Sequence, residues 1–164
     1  MPHAAFSTPL GPCAIAWGDH GLTGFSLPGG APRAPDAGVA EAPAWICAII
    51  ARVQRHLAGE PQDFSDLPYD FAAAPAFNQR VLRATLTVKS GRTATYGEIA
   101  AAIGEEPAAS RAVGAALGAN RWPLLIPCHR VVAADGRMTG FSGPGGVKTK
   151  TRLLALEGSQ LLSE

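Results

Sequence analysis

The sequence predicts an α+β chain: a small strand-and-helix unit over residues 1–74, then a mainly helical unit over residues 75–164. Three observations carry that reading. Cys13-Ala-Ile-Ala-Trp17 and Leu22-Thr-Gly-Phe-Ser-Leu27 are short apolar runs flanking Gly18-Asp-His-Gly21, the pattern of a β-hairpin. Apolar residues then recur at helical spacing at Trp45, Ile46, Ile49, Ile50, Val53 and Leu57, with Gly59 as the stop. Further on, Thr95-Tyr-Gly-Glu98 has the form of a capping box, and Pro107 stands where a second helix can open.

The remaining elements follow in order. Pro28 to Pro43 is a Gly/Pro/Ala-rich loop without periodicity. Phe64 to Phe71 is expected as one more strand, closing the first unit near Ala74. Phe77, Val81, Leu82, Thr85 and Leu86 define an amphipathic helix that opens the second unit. Thr95 caps a helix through Ile103, stopped at Gly104, and the next helix runs over residues 108–117. Asn120, Trp122 and Pro123 break it. Leu124-Leu-Ile126 leads into Pro127-Cys-His-Arg130, the Gly-rich stretch from Thr139 to Gly146 follows, and Lys150 to Glu157 is the last helix.

Two helices joined at Gly104 have the outline of a helix-turn-helix. The second is crowded with Ala and Gly and carries one long basic side chain, Arg111. An ordinary αα-hairpin explains that pattern as well. On the pattern alone the hairpin is favoured, because a major-groove reader carries several polar side chains.

Composition sets outer bounds. The chain has 164 residues, of which 47% are hydrophobic, enough for a core without disulfide or metal staples. The formal net charge of +1 excludes a protein held to nucleic acid by its bulk field, so any DNA contact must be a local face. There is no leader pattern and no span long enough for a bilayer, which points to a cytoplasmic protein with reduced thiols.

Three cysteines, Cys13, Cys47 and Cys128, make an odd count. Core packing is the expected role of Cys13 and Cys47. Cys128 differs in its neighbours. Pro127 forces an extended entry, His129 and Arg130 follow directly, and a Gly-rich loop comes soon after. A thiolate needs a base to form and positive surroundings to persist. His129 is the candidate base, acting through a water, and Glu157 is the acidic candidate to orient it.

Pro127-Cys-His-Arg-Val-Val132 resembles the active-site signature of the O6-alkylguanine-DNA alkyltransferases, the methylated-DNA–protein-cysteine methyltransferase family. Thr95-Tyr96-Gly97-Glu98, Ser110-Arg-Ala-Val-Gly114, Asn120, Gly140-Phe-Ser142 and Leu153-Leu-Ala-Leu-Glu157-Gly158 fall in that family's order and spacing. Thr8-Pro-Leu-Gly11 resembles its N-terminal hairpin.

The resemblance implies a ribonuclease H-like N-terminal unit and a helix-turn-helix alkyltransferase domain. It implies direct-reversal repair: an alkyl group passes once from O6-alkylguanine in DNA to Cys128, with the nucleotide flipped out of the duplex. O4-alkylthymine is a further candidate substrate.

By the same resemblance His129 takes the thiol proton, Glu157 orients the histidine, and Tyr96 helps turn the nucleotide and donates to the guanine ring. Arg111 enters the duplex from the minor groove, on a DNA-facing helix that includes Ala112 and Gly114. Asn120 is the hinge before the active-site strand. Pro123, Val131 and Phe141 line the alkyl pocket, Ser142 offers its backbone N–H to the alkylated oxygen, and Thr139 narrows the pocket where a glycine is common. Phe141 keeps the aromatic wall of the family's tyrosine without its hydroxyl.

No cofactor is implied. No zinc is expected either, because Gly18 and Thr23 stand where zinc-binding members have Cys and His. The implied partner is double-stranded DNA bound by a monomer, in a stand-alone protein with no separate methylphosphotriester domain. Two rival readings are a non-reacting binder of alkylated DNA, whose known relatives lack the cysteine, and a helix-turn-helix regulator.

Overall fold

The computed structural model describes residues 2–28, 41–134 and 147–158. The chain starts with three antiparallel strands in the order β1-β2-β3: β1 (His3–Thr8), β2 (Gly11–Gly18) and β3 (Gly21–Ser26). The expected hairpin is the β2–β3 pair, with Gly18 opposite Gly21 and a register shift at Ala16/Trp17. The additional strand β1 pairs His3 with Ala16 and Phe6 with Cys13. Its sequence, His-Ala-Ala-Phe-Ser-Thr, has weak apolar alternation, so the neighbouring strand rather than the local pattern defines it. Along β2, Cys13, Ile15 and Trp17 are buried in strict alternation and form one wall of the core.

The helix α1 (Ala44–Leu57) covers that wall with Ile46, Ile49, Ile50, Val53 and Leu57. Each such side chain contributes roughly 1.5–3 kcal/mol on burial. His56 is buried on the same face.

The segment from Phe64 to Phe71 is not a strand. It is a turn-rich stretch with a single bridge, Leu22 to Tyr69. Two backbone bonds, Leu22 N–H to Pro68 O and Asp70 N–H to Leu22 O, hold it against β3. The contact is close enough that Gly21, at φ +125°, has no room for a side chain: a Cβ there would lie 2.3 Å from the Pro68 carbonyl oxygen. Ser65 and Ala72 N–H donate to Asp63 and Asp70 side chains, so local Asx bonding competes with extension.

The second half contains α2 (Ala76–Thr85), β4 (Ala94–Thr95), α3 (Tyr96–Ala102), α4 (Ser110–Gly118), β5 (Val131–Val132) and α5 (Val147–Leu156). A 3-10 turn over Pro107–Ala109 leads into α4. The Thr95 capping box is complete: Glu98 N–H donates to Thr95 Oγ1 and Thr95 N–H to Glu98 Oε1. Val81, Ile99, Ala100, Val113, Ala116, Leu117, Cys128 and Val131 form the core of this half.

The larger apolar cluster around the sheet also takes in Leu82, Trp122, Leu124, Leu125, Ile126 and Leu153. Residues 121–126 are thus packed against the N-terminal sheet. Phe25 N–H donates to Arg121 O, Trp122 Nε1–H donates to Leu22 O, and Trp122 meets Tyr69 and Phe71 edge-on. The sheet therefore supports the segment that delivers Cys128.

Candidate active site

The chain leaves α4 and reverses within a few residues. Asn120 shapes that reversal: its Oδ1 accepts from Trp122 N–H at 2.9 Å and its Nδ2 donates to Ile126 O at 3.0 Å. Between those two bonds lies Leu124, fully buried at φ +79°. A branched residue in that region carries about 1–3 kcal/mol of strain and persists only where its surroundings dictate it. The two asparagine bonds and the buried Trp122 supply that constraint.

Cys128–Arg130 then forms a 3-10 turn, and all nine residues from Leu124 to Val132 are buried. β5 follows immediately and pairs in parallel with β4, Ala94 to Val131 and Thr95 to Val132. Because Thr95 is also the N-cap of α3, this short ladder sets Tyr96 beside the cysteine turn. Tyr96 is half-buried and packs against the cluster that contains Cys128 and Val131.

His129 is fully buried, and its Nε2 lies 2.9 Å from Glu157 Oε2. Its Nδ1 has no hydrogen-bond partner among the described residues. Glu157 was expected on the last helix. It lies one residue past the end of α5, with its N–H still bonded to Leu153 O.

Glu157 has more partners than the sequence suggests. Arg130 donates from Nε to Oε1 and from Nη2 to Oε2, each at 2.8 Å, and its Nη1 donates to Val88 O at 2.6 Å. His56 Nε2 reaches Oε2 at 2.9 Å. Gly91, at φ +85°, brings its backbone close enough that a Cβ would sit 3.3 Å from Glu157 O.

The electrostatics follow from this packing. Burial raises the Glu157 carboxyl, but the bonds from Arg130, His129 and His56 outweigh it and hold the group far below the usual carboxylate range. Burial pushes the His129 imidazole down, against the pull of Glu157, so the ring is neutral at pH 7. With Nε2–H directed at the carboxylate, the Nδ1 lone pair is the free basic position.

Burial raises the Cys128 thiol, while the Asn120 side chain, the Lys150 charge and backbone N–H groups pull the other way. Lys150 is buried, donates from Nζ to Val131 O at 2.7 Å, and lies 6.0 Å from the centre of the Tyr96 ring. Its own pKa is lowered by burial, partly countered by Cys128. The resting site is thus a protonated thiol beside a neutral base, with a cation nearby to favour the thiolate once formed.

The helix pair presents a different surface. Arg111 and Ala112 are exposed near the start of α4, and Arg111 makes no hydrogen bond or ion pair among the described residues. Gly114 faces Tyr96, and a Cβ there would be 3.8 Å from Tyr96 Cε1. Arg80 braces the pair by bonding Ile103 O and Glu105.

The structure thus brings Cys128, His129, Glu157, Asn120, Tyr96 and Val131 into one region. Pro123 is half-buried in the reversal, bridged to Ile126. Thr139, Phe141 and Ser142 lie outside the described residues. Cys13 packs in the core as expected, whereas Cys47 is only half-buried, with its Sγ 3.6 Å from Ala42 O.

Sequence reasoning missed Arg130, Lys150 and His56 as members of the site. Arg130 had a signal, because it stands inside an apolar run. Lys150 precedes Glu157 by seven residues, two helical turns, which places both on one face. His56 follows Val53 at core spacing on α1.

Comparison with known proteins places the chain in a family. The family profile described as "6-O-methylguanine DNA methyltransferase, DNA binding domain" matches residues 76–159. The methylated-DNA–protein-cysteine methyltransferase of Methanothermobacter thermautotrophicus is 36% identical over 153 residues, covering 93% of this chain and 83% of the relative. This chain belongs to that family.

Other members resemble it as closely. A protein of Thermus thermophilus named DNA base-flipping protein is 40% identical, covering 93% of this chain and 97% of its own. The crystal structure of Mycobacterium tuberculosis OGT in complex with DNA superposes with a TM-score of 0.81 at 34% identity, covering 96% of this chain and 93% of that one. The methyltransferase family membership therefore extends over both halves of the chain, with an α+β fold like that of the solved members. Among the described residues no helix is long and apolar enough to cross a membrane.

Proposed function

We propose that this protein repairs alkylated DNA by direct reversal, with Cys128 as the acceptor of an alkyl group from O6-alkylguanine. One observation carries the residue assignment. His129 is buried and neutral, tied through Nε2 to Glu157, and its unpartnered Nδ1 belongs to the residue that follows the only cysteine in the family signature.

The thiol proton passes through a water to His129 Nδ1, and the Sγ lone pair attacks the alkyl carbon. The Sγ–C bond forms as the C–O6 bond breaks, and the bonding pair leaves with guanine. Tyr96 donates toward the guanine ring and makes it a better leaving group. The product is a thioether, which nothing in the site can cleave, so each molecule reacts once.

Arg111 occupies the space of the flipped nucleotide, with Ala112 and Gly114 allowing α4 to approach the minor groove. Asn120 holds the turn, and Pro123 and Val131 line the alkyl side. Residues 1–74 serve as a supporting domain and 75–164 as the reacting one, in a cytoplasmic monomer. O4-alkylthymine is a second substrate of the same reaction.

Intact-mass measurement after mixing with a duplex containing O6-methylguanine tests the reading. A gain of one methyl that is absent in Cys128→Ser supports transfer. Tight binding without a mass gain leaves a DNA-binding, base-flipping role, the name carried by the Thermus relative.

A further inference from the structure

Glu157 Oε2 accepts three donors, and one of them comes from far outside the reacting segment. His129 and Arg130 are neighbours of Cys128, but His56 is on α1, 101 residues from Glu157 in sequence. The His56 ring is 2% exposed and lies against Phe64, with ring centres 5.4 Å apart. Its tautomer is dictated by its surroundings. Gln62 N–H donates to His56 Nδ1 at 2.9 Å, so Nδ1 is the acceptor and the ring proton is on Nε2, directed at the carboxylate.

We propose that His56 is a positioning residue for alkyl transfer, whose Nε2–H fixes the Glu157 carboxylate and, through it, the ring of His129. This rests on the role of His129 proposed above. A carboxylate oxygen shared among His56, His129 and Arg130 cannot rotate toward any one of them without losing another bond. The three donors also divide its negative charge, so His129 receives only part of it. His56 therefore keeps the histidine aligned and, at the same time, limits how strongly Glu157 holds a proton on it. Arrangements of this kind, in which an outer group orients a reactive imidazole, are worth about 10–100-fold where they have been measured around metals.

The titratable and charged groups of the cluster come from three elements. From α1 comes His56, from the cysteine turn His129 and Arg130, and from the end of α5 Glu157, with Lys150 two helical turns earlier and beside Val131. The backbone of Val88 takes the remaining Arg130 donor.

The test compares wild type with His56→Leu and His56→Gln in the full chain, as single-turnover transfer from saturating O6-methylguanine duplex across pH. Gln can present an amide N–H near the position of the imidazole Nε2–H, whereas Leu cannot. His56→Leu is expected to reach one methyl per protein but about tenfold more slowly, with the acid limb of its rate profile displaced to higher pH. His56→Gln is expected to recover most of the rate and the wild-type profile.

A wild-type rate and profile in His56→Leu would overturn the proposal. So would slow transfer with an unshifted profile in both variants, the result of a purely structural role. Absence of methyl gain in wild type would remove the function itself and not merely this residue's part in it. Ring-nitrogen NMR of the wild-type protein keeps the proposal testable if His56→Leu fails to fold: a proton on His56 Nε2 is expected, and a proton on Nδ1 overturns the assignment.

Discussion

Cys13 and Cys128 are both buried, 3% and 7% exposed, and burial pushes both thiols upward. At Cys13 little opposes that push. The Thr8 hydroxyl lies 3.8 Å away, and the thiol is raised to about 11. The rest of its surroundings is the apolar wall of the sheet. At Cys128 the opposing groups are Asn120, Lys150 and backbone N–H, and a neutral imidazole is the next residue. The difference teaches that seclusion does not itself make a nucleophile. A buried thiol becomes one when the same packing also holds a proton acceptor and groups that favour negative charge.

The largest expected effect breaks the comparison from the reactive side. Cys128→Ser abolishes methyl gain in intact-mass measurement while the fold, read by thermal melting, is retained. Methyl transfer persisting in that variant, carried by Cys13 or Cys47, would remove the distinction altogether.

Glu157→Gln comes next. Replacing the carboxylate leaves Arg130 buried without its counter-charge, and breaking a buried pair in this way destabilises by about 3–5 kcal/mol. Transfer is expected to slow by about a hundredfold as well, the scale of lost general-base catalysis.

The pH dependence follows from the depressed carboxyl. A group held below its unfolded value contributes stability above that value and loses it on acidification. The Glu157 contribution is therefore complete above about pH 4.3 and declines as pH falls from there toward the depressed folded value. Urea unfolding at neutral and acidic pH should show wild type losing more stability on acidification than Glu157→Gln. Equal losses would contradict the clamp.

Arg111→Ala separates extrusion from chemistry. Unstacking a base requires a few kcal/mol, so transfer from duplex should fall by up to about a hundredfold. Transfer from the free alkylated base should not change, and stability should stay within about 0.5 kcal/mol because the side chain is exposed. Equal loss on both substrates would place Arg111 elsewhere in the mechanism.

Lys150→Met sharpens the contrast between the two thiols by removing the cation near Cys128. The expected result is a rate about tenfold lower at neutral pH, recovered in part as pH rises, because the thiol then ionises without help. Cys13→Ala is the smallest change: about 1 kcal/mol of stability from a small cavity, and an unaltered transfer rate.

Much of this was legible in residue order. The capping box at Thr95, the spacing on α1 and the sequence around Cys128 are local patterns, and each specifies its element through contacts within a few residues. The strand β1 had no signal in its own alternation and depends on β2; only the resemblance of Thr8-Pro-Leu-Gly11 to the family's hairpin pointed to it. The strand expected at Phe64–Phe71 was replaced by Asx-bonded turns that close on β3. His56 is instructive in the same way: its spacing marks it as facing the core, but nothing local says that the core there contains a carboxylate.

The sequence alone singled out the candidate cysteine, the histidine beside it, the acid that follows, and the helix pair with its single long cation. These are read from residue type and short spacing, where covalent connectivity limits what can meet what. Tertiary structure decided which groups share Glu157, which tautomer His129 must hold, and that Lys150 and Asn120 act on Cys128. The physical reason is range. The contacts to Glu157 join residues 27, 28 and 101 positions apart, and a buried charge takes its partners from whichever elements packing brings to it.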